Sequence, residues 1–154
     1  MNEAVLNLLA CNIASTEGKG FAVKVLSFMR EKLADFQEET GNIYNLEATP
    51  AEGTSYRLAR IDKMKYPDII TANEKHLANG AKPFYTNSSQ LPVDFESDLF
   101  EALEHQESLQ TLYTGGTVFH IYLGERLHSW QSAAELIRNC LLYTSPSPRD
   151  RTRS

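Results

Sequence analysis

Two hydrophobic periods alternate along the chain. Val5, Leu6, Leu9 and Ile13 stand at helical spacing and predict a helix over 3–14. "STEGKG" interrupts it with two glycines. Phe21, Val25, Phe28, Met29, Leu33 and Phe36 then recur in steps of three and four, with Leu26 widening the stripe. They predict a helix from Phe21 to Glu39 with that stripe in the core. Gly41 is placed to stop it. Ile43 to Ala48 alternates, as a strand does.

After the turn "TPAEG", Thr54 to Lys65 reads as a short helix made basic by Arg57, Arg60, Lys63 and Lys65, and Pro67 ends it. Residues 68–82 read as irregular. "KPFYTNSSQLPVD" begins extended and aromatic, with a polar centre between two prolines. Asp98 to Leu112 is a further helix, with Leu99, Phe100, Leu103, Leu109 and Leu112 toward a core and Ser97 as its cap. "YTGG" is a turn, and "TVFHIYLGE" alternates and is rich in strand formers. Ser129 opens a last helix that runs to about Asn139. Helices alternating with strands define the α/β class. So few strands make a poor sheet, so the expected architecture is part of a larger α/β unit.

Composition narrows the function classes. A chain of 154 residues fits one domain or a piece of one, and its net charge of -5 opposes a general nucleic-acid binder. No run of about eighteen apolar residues exists, so no membrane partner is expected. "MNEAVLNLLACNIASTEGKG" lacks the basic start of a signal peptide, which points to the cytoplasm. The two cysteines, Cys11 and Cys140, have no metal or disulfide spacing, and the four histidines are scattered, so no metal site is expected. Cys11 reads as a buried, inert thiol on an apolar helix.

The end changes character. "CLLYTSPSPRDRTRS" brings Ser-Pro-Ser-Pro and three arginines into an apparent helix. Cys140 to Asp150 also corresponds, without mismatch, to one reading frame of a widely used transposase adapter. Residues 1–139 are therefore taken as the natural domain and 140–154 as an adapter-encoded tail.

Three loops carry candidate chemistry, each with a plain structural alternative. In TPAEG, Pro50 fixes the turn, while Gly53 permits a positive φ or close ligand approach. Glu52 would sit at the C-terminal end of a strand, where α/β folds place ligands, ahead of a helix N-terminus suited to an anion. The alternative is a helix start at which Glu52 favours the dipole. In "YTNSSQLPV", Asn87, Ser88, Ser89 and Gln90 offer many donors and acceptors that could read a ribose or base edge, or belong to a polar loop. In "YTGGTVFH", the N–H groups of Gly115 and Gly116 could converge on an anion, or form a simple turn. Neither nucleotide-binding fingerprint is present. His120, among apolar neighbours, reads as a core histidine rather than a base.

Taken together, "LEATPAEGTSYRLARIDK", "FYTNSSQLPV" and "YTGGTVFHIYLGE", after "EGKGFAVKVLSFMREKLADFQEETG", resemble the anaerobic (class III) ribonucleoside-triphosphate reductase large subunit, a glycyl radical enzyme family. The resemblance covers about Asn7 to Asn139. It implies a fragment of a ten-stranded α/β barrel whose parent reduces ribonucleoside triphosphates to deoxyribonucleoside triphosphates. It implies a glycyl radical, a thiyl radical on a finger-loop cysteine, a structural zinc site, and formate as reductant. Implied partners are the triphosphate substrate, a radical-SAM iron–sulfur activating enzyme and a second copy of the parent. The radical cysteine and glycine are expected outside this segment, so the segment alone is expected to be inactive. Within it, the resemblance points to Glu52 as the catalytic residue. Thr49, Gly53, Asn87, Ser88, Gly115, Gly116 and Thr117 are expected to line or shape the substrate pocket. The rival readings are a glycyl radical enzyme of the pyruvate formate-lyase type and a non-catalytic nucleotide-binding module.

Overall fold

A computed structural model describes residues 1–93, 95, 98–120 and 126–144, in two compact units, Met1–Ile121 and Tyr122–Ser154. In the larger unit, helix α1 (Asn2–Leu9) ends where Ala10 adopts a left-handed backbone (φ 55°) and donates its N–H to the Leu6 carbonyl. The helix expected over 3–14 is therefore shorter, and Cys11 lies half-buried just beyond it. Polar side chains take over the backbone there. Asn12 Oδ1 accepts the N–H groups of Ala14 (3.1 Å) and Ser15 (3.2 Å), and Asn2 Oδ1 accepts that of Ile13 (3.1 Å). These local bonds compete with helix continuation, as asparagine and serine commonly do.

Ser15 starts helix α2 (Thr16–Thr40): its Oγ accepts the Gly18 N–H at 3.0 Å. The two glycines expected to break the chain lie inside the first turns instead. Gly18 is buried, and a Cβ there would collide with the Asn12 carbonyl and sit 2.9 Å from Val5 Cγ1. Its lack of a side chain lets α2 touch α1 and the turn between them. Gly18, Ala22 and Leu26, spaced four apart, form the buried face. The face predicted from Phe28, Met29 and Phe36 is turned outward, at 58, 41 and 45 % exposure. The apolar stripe is wider than the contact, and packing selects the small residues that permit the closest approach. Gly41 ends α2 as expected, with φ 70° and its N–H on the Gln37 carbonyl.

Strands β1 (Glu47–Ala48) and β2 (Gly116–Thr117) pair in parallel, Glu47 opposite Gly116 and Ala48 opposite Thr117. Leu46 extends the contact: its carbonyl accepts the N–H groups of Thr114 and Gly115, both at 2.9 Å, and its N–H donates to Thr114 Oγ1. The strands expected over Ile43–Ala48 and 117–125 are thus much shorter among the described residues, and 121–125 lie outside them. Helix α3 (Glu52–Lys65) starts two residues earlier than predicted. Helix α4 (Glu74–Leu77) falls in the stretch read as irregular. Helix α5 (Leu99–Gln110) has Asp98 at its N-cap position, without a side-chain cap bond; Ser97, the predicted cap, lies outside the described residues. The core gathers Ile13, Ala22, Leu26, Leu46 and Leu109. The fold is mixed, helices with a small parallel sheet, in agreement with the α/β reading.

In the smaller unit, helix α6 (Trp130–Thr144) follows Ser129, whose Oγ accepts the Ser132 N–H at 3.2 Å. The boundary drawn from sequence at 139/140 falls within it. No helix among the described residues is long and apolar enough to cross a membrane.

Candidate functional site

Because β1 and β2 run in parallel, both chain segments leave the pair at the same end. TPAEG departs there from Ala48, and Val118 departs from Thr117. The TNSSQ segment ties the two exits together. Asn87 Oδ1 accepts the Ala51 N–H (3.3 Å), and Gln90 Nε2 donates to the Val118 carbonyl (2.9 Å). Three motifs far apart in sequence therefore meet at the C-terminal end of the parallel pair, the position where α/β folds bind ligands.

The TNSSQ segment is fastened on its inner side. Glu3, buried in α1, accepts from Thr86 twice through Oε1, from the N–H at 2.9 Å and from the hydroxyl at 2.7 Å. Tyr85 donates its hydroxyl to Asp62 on α3 (2.8 Å). Burial, then the hydrogen bond and charge of Asp62, push the Tyr85 hydroxyl up to about 12. The Met1 nitrogen donates to the Ser88 carbonyl (2.9 Å), and Ser88 holds a positive φ of 48°. Ser89 is fully buried; its Oγ accepts from the Tyr113 hydroxyl (2.9 Å) and its carbonyl from Gln106 Nε2 (3.1 Å). Burial raises the pKa of Tyr113, while the bond to Ser89 works against that rise.

The individual candidates are placed as follows. Thr49 is exposed in the turn after β1. Glu52 is exposed in the first turn of α3, and among the described residues its carboxylate has no hydrogen-bond or ion-pair partner. Ala51 offers α3 no side-chain cap, so the N–H groups of that first turn keep no side-chain acceptor. Gly53 is helical rather than left-handed, and nothing lies within 4 Å of where its Cβ would be. Gly53 does not use the positive φ that a glycine permits, whereas Gly116 does, at 133°. Gly115 is needed for close approach to the chain itself, since a Cβ there would be 2.8 Å from Asn45 Cβ. Its N–H is engaged by the Leu46 carbonyl and so does not face a ligand. Thr117 donates its hydroxyl to Gln110 Oε1. His120 is half-buried.

Arg60 and Lys82 lie over the ring of Tyr56, at 5.6 and 5.9 Å from its centre. Lys63 pairs with Glu74 at 2.6 Å. Burial would raise the Glu74 carboxyl, but the bonds from Lys63 and Thr71 outweigh it and lower the pKa.

Sequence reasoning missed Glu3, Gln106 and Gln110 as residues that fasten the loop; Ser89, read as part of the polar cluster that could face a ligand, is instead buried and bonded to Tyr113 and Gln106. A signal was present for Gln106: it stands between Leu103 and Leu109 at helical spacing, so a polar group occupies the buried stripe of α5. A polar residue at a core phase must find partners, and here it finds three, the Ser89 carbonyl, His105 Nδ1 and Gln110 Nε2.

Loops meeting at the C-terminal end of parallel strands have the arrangement at which α/β folds commonly bind ligands. Comparison with known proteins narrows the class further. The profile of the family "Anaerobic ribonucleoside-triphosphate reductase" matches residues 1–146, and the chain belongs to that family. It is similar to the anaerobic ribonucleoside-triphosphate reductase of Enterobacteria phage T4, 27 % identical over 106 residues, which is 69 % of this chain and 16 % of that protein. It is also similar to the enzyme of the same name from Haemophilus influenzae, 28 % identical over 100 residues, 65 % of this chain and 13 % of that one. The matched stretches thus span less than a fifth of either relative.

Proposed function

We propose that this chain contributes part of the substrate site of an anaerobic ribonucleoside-triphosphate reductase, which converts ribonucleoside triphosphates to 2′-deoxyribonucleoside triphosphates by glycyl and thiyl radical chemistry. The observation that carries the reading is the meeting of TPAEG, TNSSQ and TGGT at one end of the parallel pair, in a chain of this family. On this reading β1 and β2 are neighbours in a ten-stranded barrel. Thr49, Gly53, Asn87, Ser88, Gly116 and Thr117 surround the nucleotide, and Gly115 shapes the wall behind it. The uncapped start of α3 suits phosphate oxygens.

Glu52 is the catalytic residue in this proposal. A carboxylate without a partner among the described residues is available to accept a hydrogen bond from a ribose hydroxyl and to assist proton transfer as the 2′ hydroxyl leaves. A four-cysteine zinc site does not fit this chain, which has two cysteines, Cys11 and Cys140, far apart in sequence. No radical step is assigned to either thiol. The zinc site, the glycyl radical, the formate reductant, the activating enzyme and the second copy belong to the longer parent, a cytoplasmic enzyme.

The test is Glu52→Gln in the full-length reductase that carries this segment, with the glycyl radical followed by electron paramagnetic resonance. Loss of a positioned acid–base group lowers turnover about 10²–10⁴-fold. The radical yield stays unchanged if Glu52 acts on substrate. Turnover at the parent level would sink the role of Glu52.

A further inference from the structure

A chain of side-chain amides, the buried Gln106 and the half-buried Gln110, runs behind the candidate site, and its hydrogen bonds have a fixed direction. His105 Nε2 lies 3.0 Å from the Ile13 carbonyl. A carbonyl only accepts, so Nε2 carries the proton. His105 Nδ1 lies 3.2 Å from Gln106 Nε2, which must then donate to it. The other hydrogen of the same nitrogen goes to the Ser89 carbonyl at 3.1 Å, so both amide hydrogens of the buried Gln106 are used. Gln106 Oε1 is left as the acceptor, and Gln110 Nε2 donates to it at 2.9 Å. That fixes Gln110 Oε1 at the far end, where it receives the Thr117 hydroxyl hydrogen. Burial lowers the pKa of His105, and the charge of Lys19 adds to this, against the raising effect of the Ile13 carbonyl; the neutral ring required here is consistent with that.

The consequence falls on Thr117, the last residue of β2 and the one beside Ala48 at the exit of the pair. Its single hydroxyl hydrogen is committed inward, so toward solvent the oxygen offers only lone pairs. We propose that Thr117 is a specificity-determining residue that accepts a hydrogen bond from a ligand hydroxyl. On the substrate reading given above, on which this inference rests, that hydroxyl belongs to the ribose. A phosphate oxygen, which has no hydrogen to give, is not matched by this group. The TGGT end therefore reads the sugar, while phosphate is left to the N–H groups at the start of α3. Gln106 and Gln110 are positioning residues: they act on the ligand through Thr117.

Two measurements test this. The first uses the full 154-residue chain labelled with ¹⁵N at histidine. His105 is expected to show the Nε2–H tautomer at neutral pH. Gln106→Glu places an acceptor against Nδ1 and is expected to bring a proton onto it, so that both ring nitrogens are protonated. A wild-type Nδ1–H tautomer would overturn the direction of the relay. The second uses the full-length reductase with Thr117→Val and Thr117→Ser. Loss of one hydrogen bond is expected to raise KM for the ribonucleoside triphosphate by about 5–10-fold in the valine variant. The serine variant is expected to stay within about twofold of the parent. Inhibition by 2′-deoxy and 3′-deoxy analogues identifies the hydroxyl, because the valine penalty vanishes for the analogue that lacks it. A valine penalty of the same size for both analogues overturns the sugar assignment. A parent enzyme that binds no ribonucleotide would instead overturn the substrate reading, and the histidine measurement would still decide the relay.

Discussion

At the scale of single residues, the same glycine signal covers three different situations. Gly18 is needed because a neighbour occupies the space of its Cβ, Gly116 because of its backbone angle, and Gly53 for neither reason. In the TPAEG turn Gly53 permits a positive φ or a close ligand approach, but α3 begins one residue before it, so Gly53 is an exposed helical residue in open space. Gly53→Ala is therefore expected to stabilise the protein by about 0.5–1 kcal/mol, the ordinary helix preference of alanine over glycine. A urea unfolding curve measures this. A shift of the midpoint to lower urea would mean that Gly53 approaches another group too closely for a methyl.

At the scale of elements, the register of α2 is set by its first turns. Ser15 caps it, and Gly18 lets it lie against Val5 and the Asn12 carbonyl. Ser15→Ala is expected to cost about 1 kcal/mol. Gly18→Ala forces a methyl into occupied space and is expected to cost more, about 1–3 kcal/mol. Denaturant unfolding of both variants gives the order, and equal costs would mean that the α1–α2 contact yields easily. These residues also show how far the sequence could be read. Periodicity located α2, α3 and α5 and the class of the fold, because a repeating apolar stripe is a local property. It misplaced the buried face of α2, since Phe28 and Leu26 both fit the stripe and only packing against α1 chooses between them. The three motifs that meet at the end of the parallel pair stood out by composition and by the family resemblance, but their meeting did not, because it depends on bonds between distant segments. Glu3 did not stand out either, because its partner, Thr86, is separated from it by most of the larger unit, and no local pattern foretells that pairing.

At the scale of the whole molecule, charge ties distant parts of the chain together, and the bonds that fix the site make its stability depend on pH. His105 has a folded pKa below its ordinary 6.5, chiefly through burial. The unfolded chain therefore takes up this proton first, and stability falls as pH drops below about 6.5, levelling once the folded value is passed. Glu74 has a lowered pKa through Lys63 and Thr71 despite its burial, so its contribution is lost at lower pH, below its ordinary 4.5. Tyr85 has the opposite sense. Its folded pKa of about 12 lies above the ordinary 10.0, so the unfolded chain loses this proton first and stability falls between those two values. The melting temperature is expected to pass through a plateau between about pH 7 and 9 and to decline on both sides. The acid limb from about pH 7 to 5 should flatten in His105→Asn, and the alkaline limb in Tyr85→Phe. Each variant leaves the other limb in place, because His105 belongs to the relay behind Ser89 and Tyr85 to the bond with Asp62, and the two have no bonding partner in common. Calorimetric scans across this range read both limbs. An acid limb unchanged in His105→Asn would show that the imidazole is not held neutral, and with it the fixed direction of the amide chain would fall.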